Sequence, residues 1–138
     1  MTFEEIAVTA QKSSLARQEV SSLMSASVRL FNPQPKDADD SHVSWMIFDN
    51  WNVKQSQMLA LMSHRAYSSL VEMFIPDHWE YSFGRTHDGK GKADIWLPAE
   101  ILVEFGCEAS TPALALLATL CQIKSDTKYD KFWNPPIT

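Results

Sequence analysis

Residues 84–90, Gly84-Arg85-Thr86-His87-Asp88-Gly89-Lys90, have the G-x-x-x-x-G-K spacing of a loop that cradles nucleotide phosphates. That chemistry needs a strand before the loop and a helix after it, with Ser or Thr following the lysine to hold Mg²⁺. Here Gly91 follows Lys90, and the flanking residues alternate as strands. The stretch therefore reads as a hairpin turn with Asp88-Gly89 at its tip, where Arg85, Lys90 and Lys92 make a small basic patch. Asp37, Asp39, Asp40 and His42 suggest a calcium loop, but His42 and Phe48 stand where such a loop needs Gly and Glu. His42, His64, His78 and His87 lack metal-ligand spacing. The chain contains neither G-x-S-x-G nor C-x-x-C. Cys107 and Cys121 read as free thiols in the core. A closing helix doubling back along its strand would hold them at opposite ends. No catalytic residue, metal site or cofactor is expected.

A different set of residues offers recognition instead of catalysis. In Trp79–Phe83, Ala93–Leu97 and Ile101–Cys107 apolar residues alternate with a second set, the period of half-buried strands. The second face then carries Glu80, Ser82, Asp94, Trp96, Glu100, Leu102, Glu104 and Glu108. No basic residue occurs between Lys92 and Lys124, so this face is acidic with Trp96 and Leu102 embedded in it. The N-terminal helix could cover Trp96 and Leu102. The alternative is an interface, since tryptophan is a common anchor; covering is the expectation for Trp96 itself, and an interface the expectation for the carboxylates around it. The candidate partner-binding residues are thus Glu80, Asp94, Trp96, Glu100, Leu102, Glu104 and Glu108.

The elements that position these residues follow from periodicity and caps. Thr2 and Glu5 form a capping-box pair for a helical segment over 1–31, with a break near Ser13–Ser14 and Ser14 recapping the second part. Asn32-Pro33-Gln34-Pro35 ends it, and 32–42 reads as a linker. Val43–Phe48 is compatible with a fourth strand or with the start of the next helix. Val53–Phe74 reads as one strong helix behind the cap-like pair Asn52 and Gln55. Its apolar face carries Met58, Leu59, Met62, Ala66, Leu70, Met73 and Phe74. Thr111-Pro112 opens a closing helix with an arc of Ala113, Leu114, Leu116, Leu117, Leu120, Cys121 and Ile123. In the tail, 125–138, the pair Phe132-Trp133 reads as folding back onto the body. The main unit spans 43–124. The fold class is α+β, a three-stranded antiparallel sheet with an optional fourth strand, packed against two helices beside an N-terminal helical segment. That N-terminal helix either covers the second sheet face or projects to make a homodimer.

Composition narrows the functions. A chain of 138 residues, 45% hydrophobic and 21% charged, can bury a core without disulfides or metals. Seventeen acidic and twelve basic residues give a formal charge of −5, which disfavours direct nucleic-acid binding and suits a basic partner surface. The opening MTFEEIAVTA has no secretory pattern, and no apolar run approaches membrane-spanning length. A soluble cytoplasmic protein without a membrane partner is expected.

Residues 66–124 also resemble small bacteriophage-encoded proteins with an ABA-sandwich domain. The resemblance rests on the helix ending SSLVEM, the strands WEYSFGR and KADIWLP, and the stretch FGCEASTPALALLATLCQI. It covers under half the chain, through structural features only, and supplies no site residues. It implies a phage or prophage accessory protein in the host cytoplasm. The leading expectation is a non-enzymatic protein that binds a host protein with a basic surface, as an inhibitor of host defence. The alternatives are a small nucleotide-binding protein or enzyme using the 84–92 hairpin through Lys90 and His87, and a structural homo-oligomer.

Overall fold

A computed structural model describes residues 1–35, 42–99 and 103–134, with the side chains of residues 42–44 left aside. The capping box at the start forms as the spacing predicts. Thr2 Oγ1 accepts from Glu5 N–H and Glu5 Oε1 accepts from Thr2 N–H, each at 3.1 Å, opening α1 (Phe3–Ala10). The predicted break follows, but α2 (Arg17–Phe31) is capped at Ala16, not Ser14. Ala16 has no side-chain oxygen to offer. Its N–H instead donates to the Glu19 carboxylate at 3.1 Å, which is the reciprocal half of a capping box working alone.

The segment 43–48 is helical and adds no strand. It lies in α3 (His42–Ser63), and the sheet has three strands. A short apolar run cannot by itself distinguish strand from buried helix, and this one continues directly into helix-forming sequence. Asn52 and Gln55 therefore fall inside α3 and cap nothing. Gln55 accepts from Asn32 Nδ2 at 3.0 Å, and Trp51 Nε1 donates to the Asn32 carbonyl at 3.0 Å, tying α3 to the end of α2.

The helix predicted over Val53–Phe74 is two helices. Arg65 adopts φ 55°, Ala66 N–H donates to the Leu61 carbonyl at 2.8 Å, and Arg65 N–H donates to Met62 at 3.0 Å. This bond pair closes α3 as a Schellman motif, with arginine where glycine is usual. Helix α4 (Tyr67–Phe74) then starts in a new direction. Leu59, assigned to the apolar face of a continuous helix, is 51% exposed as a result.

The sheet runs β1 (Glu80–Arg85), β2 (Gly91–Leu97), β3 (Val103–Ala109), antiparallel throughout in that spatial order. Register places Tyr81, Ile95 and Phe105 in one cross-strand row and Phe83, Ala93 and Cys107 in the next. These rows face α5 (Pro112–Ser125), which packs on the sheet with its first turn capped by Thr111. On its other side lies α1, so α5 is buried around nearly its whole circumference. Ala115, Ala118 and Thr119, outside the predicted arc, are buried there too. Thr119 keeps its hydroxyl satisfied by donating to the Ala115 carbonyl at 2.7 Å. Ile6, Ala7 and Ala10 of α1 join the same core, which α2, α4 and α3 extend outward in turn.

The tail folds back as expected. A 3₁₀ turn over Thr127–Phe132 brings the Phe132 carbonyl to Trp79 Nε1 at 2.8 Å and to His78 Nε2 at 3.0 Å. The Trp133 ring sits 4.6 Å from Trp79, with Lys124 Nζ 4.3 Å above it.

Candidate protein-docking face

The face of the sheet turned away from α5 is built by strand alternation. Trp96, in the middle strand, pairs in register with Glu80 on one side and Glu104 on the other. Asp94 is level with Ser82 and Gly106, and Lys92 is level with Gly84 and Glu108. Glu80, Ser82, Glu104 and Glu108 are exposed, while Trp96 and Asp94 are half-buried among their neighbours. The Asp94 carboxylate lies over the bare backbone of Gly106, where an added Cβ would stand 2.6 Å from its Oδ1.

Helix α1, which could have covered Trp96, instead packs against α5 on the far side of the sheet. Five of the candidate residues, Glu80, Asp94, Trp96, Glu104 and Glu108, are thus brought onto one surface. Glu100 and Leu102 lie outside the described residues. Lys92 belongs to the same face, a member the sequence reasoning did not include. The period-two pattern places it there, two residues before Asp94.

Charge on this surface is one-sided. Four carboxylates and one lysine leave a net −3 (1 − 4) within a patch three strands wide. Neighbouring strands are about 4.8 Å apart, so Glu80 and Glu104 stand about 10 Å from each other across Trp96, near the screening length of about 8 Å at physiological salt. Set in the middle, Trp96 offers a large, stiff apolar plate. Together they suit a protein surface that carries cations around an apolar recess.

The remaining candidate chemistry resolves into structure. Residues 86–90 form the predicted hairpin turn: Thr86 N–H donates to the Lys90 carbonyl at 2.8 Å, Gly89 N–H donates to Thr86 at 3.0 Å, and Gly89 takes φ 87°. The Thr86 hydroxyl donates to Asp88 and holds its carboxyl below the usual range. Beside this turn a cleft of about 310 Å³ is bordered by Lys90 together with Asp88 and Glu108, so two carboxylates face any phosphate that the lysine would attract. Asp37, Asp39 and Asp40 lie outside the described residues, and among those described no three His, Cys, Asp or Glu gather as metal ligands do. Both cysteines are free and buried, and burial raises both thiol pKa values. Cys107 lies beside Thr119 and Gln122, alongside the turn of α5 that carries Cys121, and not at the opposite end of that helix.

Two further features escaped the sequence reading. A cavity of about 520 Å³ opens between the end of α2, α3, the end of α4 and the tail, with Phe31, Lys54, Asp77, His78 and Trp133 on its walls. Trp133 Nε1 is buried without a partner among the described residues. Its walls come from segments far apart in the chain, so no local pattern announces it. The other is the outer surface of α3, where Trp45, Met46, Ile47 and Phe48 are 70, 56, 51 and 42% exposed. Among the described residues no helix is long and apolar enough to cross a membrane. In comparisons with known proteins, no family model, curated protein or solved structure matches the chain.

Proposed function

We propose that this chain is a non-enzymatic binding protein that docks the open face of its sheet on a basic surface of another protein. The observation that carries this reading is the row Glu80, Trp96, Glu104, a half-buried apolar anchor flanked on both sides by exposed carboxylates. Tryptophan at the centre of an interface commonly contributes about 2 kcal/mol or more, while carboxylates at the rim steer encounter and choose the partner. The resemblance of residues 66–124 to phage accessory proteins adds the expectation of a host protein as partner and of inhibition of host defence as the role. A nucleotide reading finds less support, because Asp88 and Glu108 outnumber Lys90 around the cleft at the hairpin.

Capture from host lysate, followed by rebinding of the purified partner, tests the proposal. The partner should bind wild type, bind more weakly as salt rises, and be lost on Glu80→Lys with Glu104→Lys and on Trp96→Ala. Equal retention by wild type and the charge-reversed protein would remove this face as the site. A melting-temperature rise with ATP or GTP, lost on Lys90→Ala, would support the nucleotide reading instead.

A further inference from the structure

We infer that α3 is the interface of a homodimer, in which the outer stripes of two copies pack antiparallel across a two-fold axis. Within this helix, apolar residues do not gather on the side that faces the body. Residues 45–50 are all exposed, although four of them are Trp45, Met46, Ile47 and Phe48. Further along, Val53 is 58% and Leu59 51% exposed. Helix α3 contacts its own chain mainly through α2 and α4, and that packing leaves these apolar side chains uncovered.

Area favours a second copy. Ile47 points away from the stripe, but Trp45, Met46, Phe48, Val53 and Leu59 lie on one side of the helix and, with ordinary side-chain areas, expose about 550 Å² per chain, so two copies offer up to about 1,100 Å², the lower end for specific dimers. A patch of this size is at the upper end of what monomers leave open, about 600 Å².

Shape and charge favour an antiparallel pair. Trp45, Asp49, Val53, Ser56 and Ala60 recur at spacings of three and four and are all exposed, forming one outward stripe. The stripe is large at its start and small at its end. An axis passing between residues 52 and 53 sets Trp45 of each copy over the partner's Ala60, and Asp49 opposite the partner's Ser56 hydroxyl. The same axis separates the two Asp49 residues by about 10 Å along the helices, near the screening length, so their repulsion is weak. From His42 to Ser63 the only other formal charge is Lys54. Such an interface is isologous and closes on itself, which prevents chain growth.

Sedimentation and light scattering of the full chain at about 500 µM test this, since interfaces at this lower end of size bind weakly. The expected mass is twice 15.6 kDa, with a melting temperature that rises with protein concentration. Trp45→Glu and, separately, Ala60→Glu should each give a monomer that keeps the wild-type circular dichroism, because both side chains lie outside the monomer core. Glu104→Lys should remain dimeric, which keeps this test separate from that of the sheet face. A wild-type monomer at this concentration overturns the inference, as does a dimer that both α3 variants preserve. A monomer that co-sediments with phosphatidylcholine–phosphatidylglycerol vesicles through Trp45 also overturns it, by giving α3 a lipid surface instead.

Discussion

Replacing Gly91 with alanine probes the tightest point of the structure. Gly91 opens β2 where the sheet meets the first turn of α5. An added Cβ would stand 2.0 Å from the Thr111 carbonyl carbon, 2.1 Å from its oxygen and 2.3 Å from Pro112 N. Ordinary contact begins at 3.4 Å, so about 1.4 Å (3.4 − 2.0) must be found by moving backbone. Neither side yields readily. Gly91 is held in register with Arg85 and Ala109, and Thr111 caps α5 through Leu114 N–H at 3.2 Å while Ala113 and Leu114 are buried. A gap of 0.5–1 Å already forfeits about a quarter to a half of a contact's attraction, so lifting this turn loosens the core around it. Overpacking costs about 1–3 kcal/mol when side chains can adjust, and backbone against backbone belongs at or above the top of that range. The entropy that alanine removes from the unfolded chain returns only about 0.4–1 kcal/mol. The net loss should be about 2–3 kcal/mol, a large share of a domain's stability of about 5–15 kcal/mol. With a urea slope near 2 kcal/mol/M, the unfolding midpoint should fall by more than about 1 M. Two other glycines calibrate the argument. At Gly106 the obstacle is the Asp94 carboxylate, which can swing aside, so alanine there should cost less than about 1 kcal/mol. At Gly84 nothing lies within 4 Å, and alanine should be neutral or stabilise by up to about 0.5 kcal/mol. A Gly91→Ala midpoint within about 0.5 M of wild type, or an inverted order among the three, would refute the reasoning.

Two further predictions concern α4 and its junctions. Tyr81 OH donates to Glu72 Oε2 at 2.6 Å, joining β1 to α4, and this bond, with burial and the adjacent carboxylate, pushes the Tyr81 pKa from 10.0 up to about 12. A raised pKa means the contribution is complete below pH 10 and fades as pH climbs toward 12. Tyr81→Phe should therefore cost about 1 kcal/mol at pH 8, and the gap between variant and wild type in urea melts should shrink above pH 10. Equal stabilities at pH 8, or a gap that widens with alkali, would contradict this. At Arg65, φ 55° is costly for any side chain, so Arg65→Gly should stabilise by about 0.5 kcal/mol, whereas Arg65→Val should destabilise by at least about 1 kcal/mol. Thermal unfolding of the pair gives the sign, and destabilisation by glycine would show that the turn depends on the arginine side chain.

Much of the fold was readable from local pattern. Alternation of residues on strands, the Thr2–Glu5 pair, Thr111-Pro112 and Asp88-Gly89 each satisfy backbone geometry within a few residues, so the sequence alone marks them. The grouping of Glu80, Asp94, Trp96, Glu104 and Glu108 followed from the same alternation, because a period of two decides the face before pairing is known. Pairing then supplied what the pattern could not, the rows that set Trp96 between Glu80 and Glu104 and add Lys92. Where the reading failed, the deciding contact was remote. Residues 43–48 became helix as part of α3, which Asn32 meets through Trp51 and Gln55, and the stop at Arg65 carries no glycine to announce it. Ala115, Ala118 and Thr119 looked peripheral until α1 crossed over them. Gly91 reads in the sequence only as the residue that spoils a phosphate loop. In three dimensions it is the place where a strand and a helix start touch. Local sequence determines the conformations that satisfy their own hydrogen bonds, whereas the tertiary structure decides which faces are covered, because burial depends on neighbours brought from elsewhere in the chain.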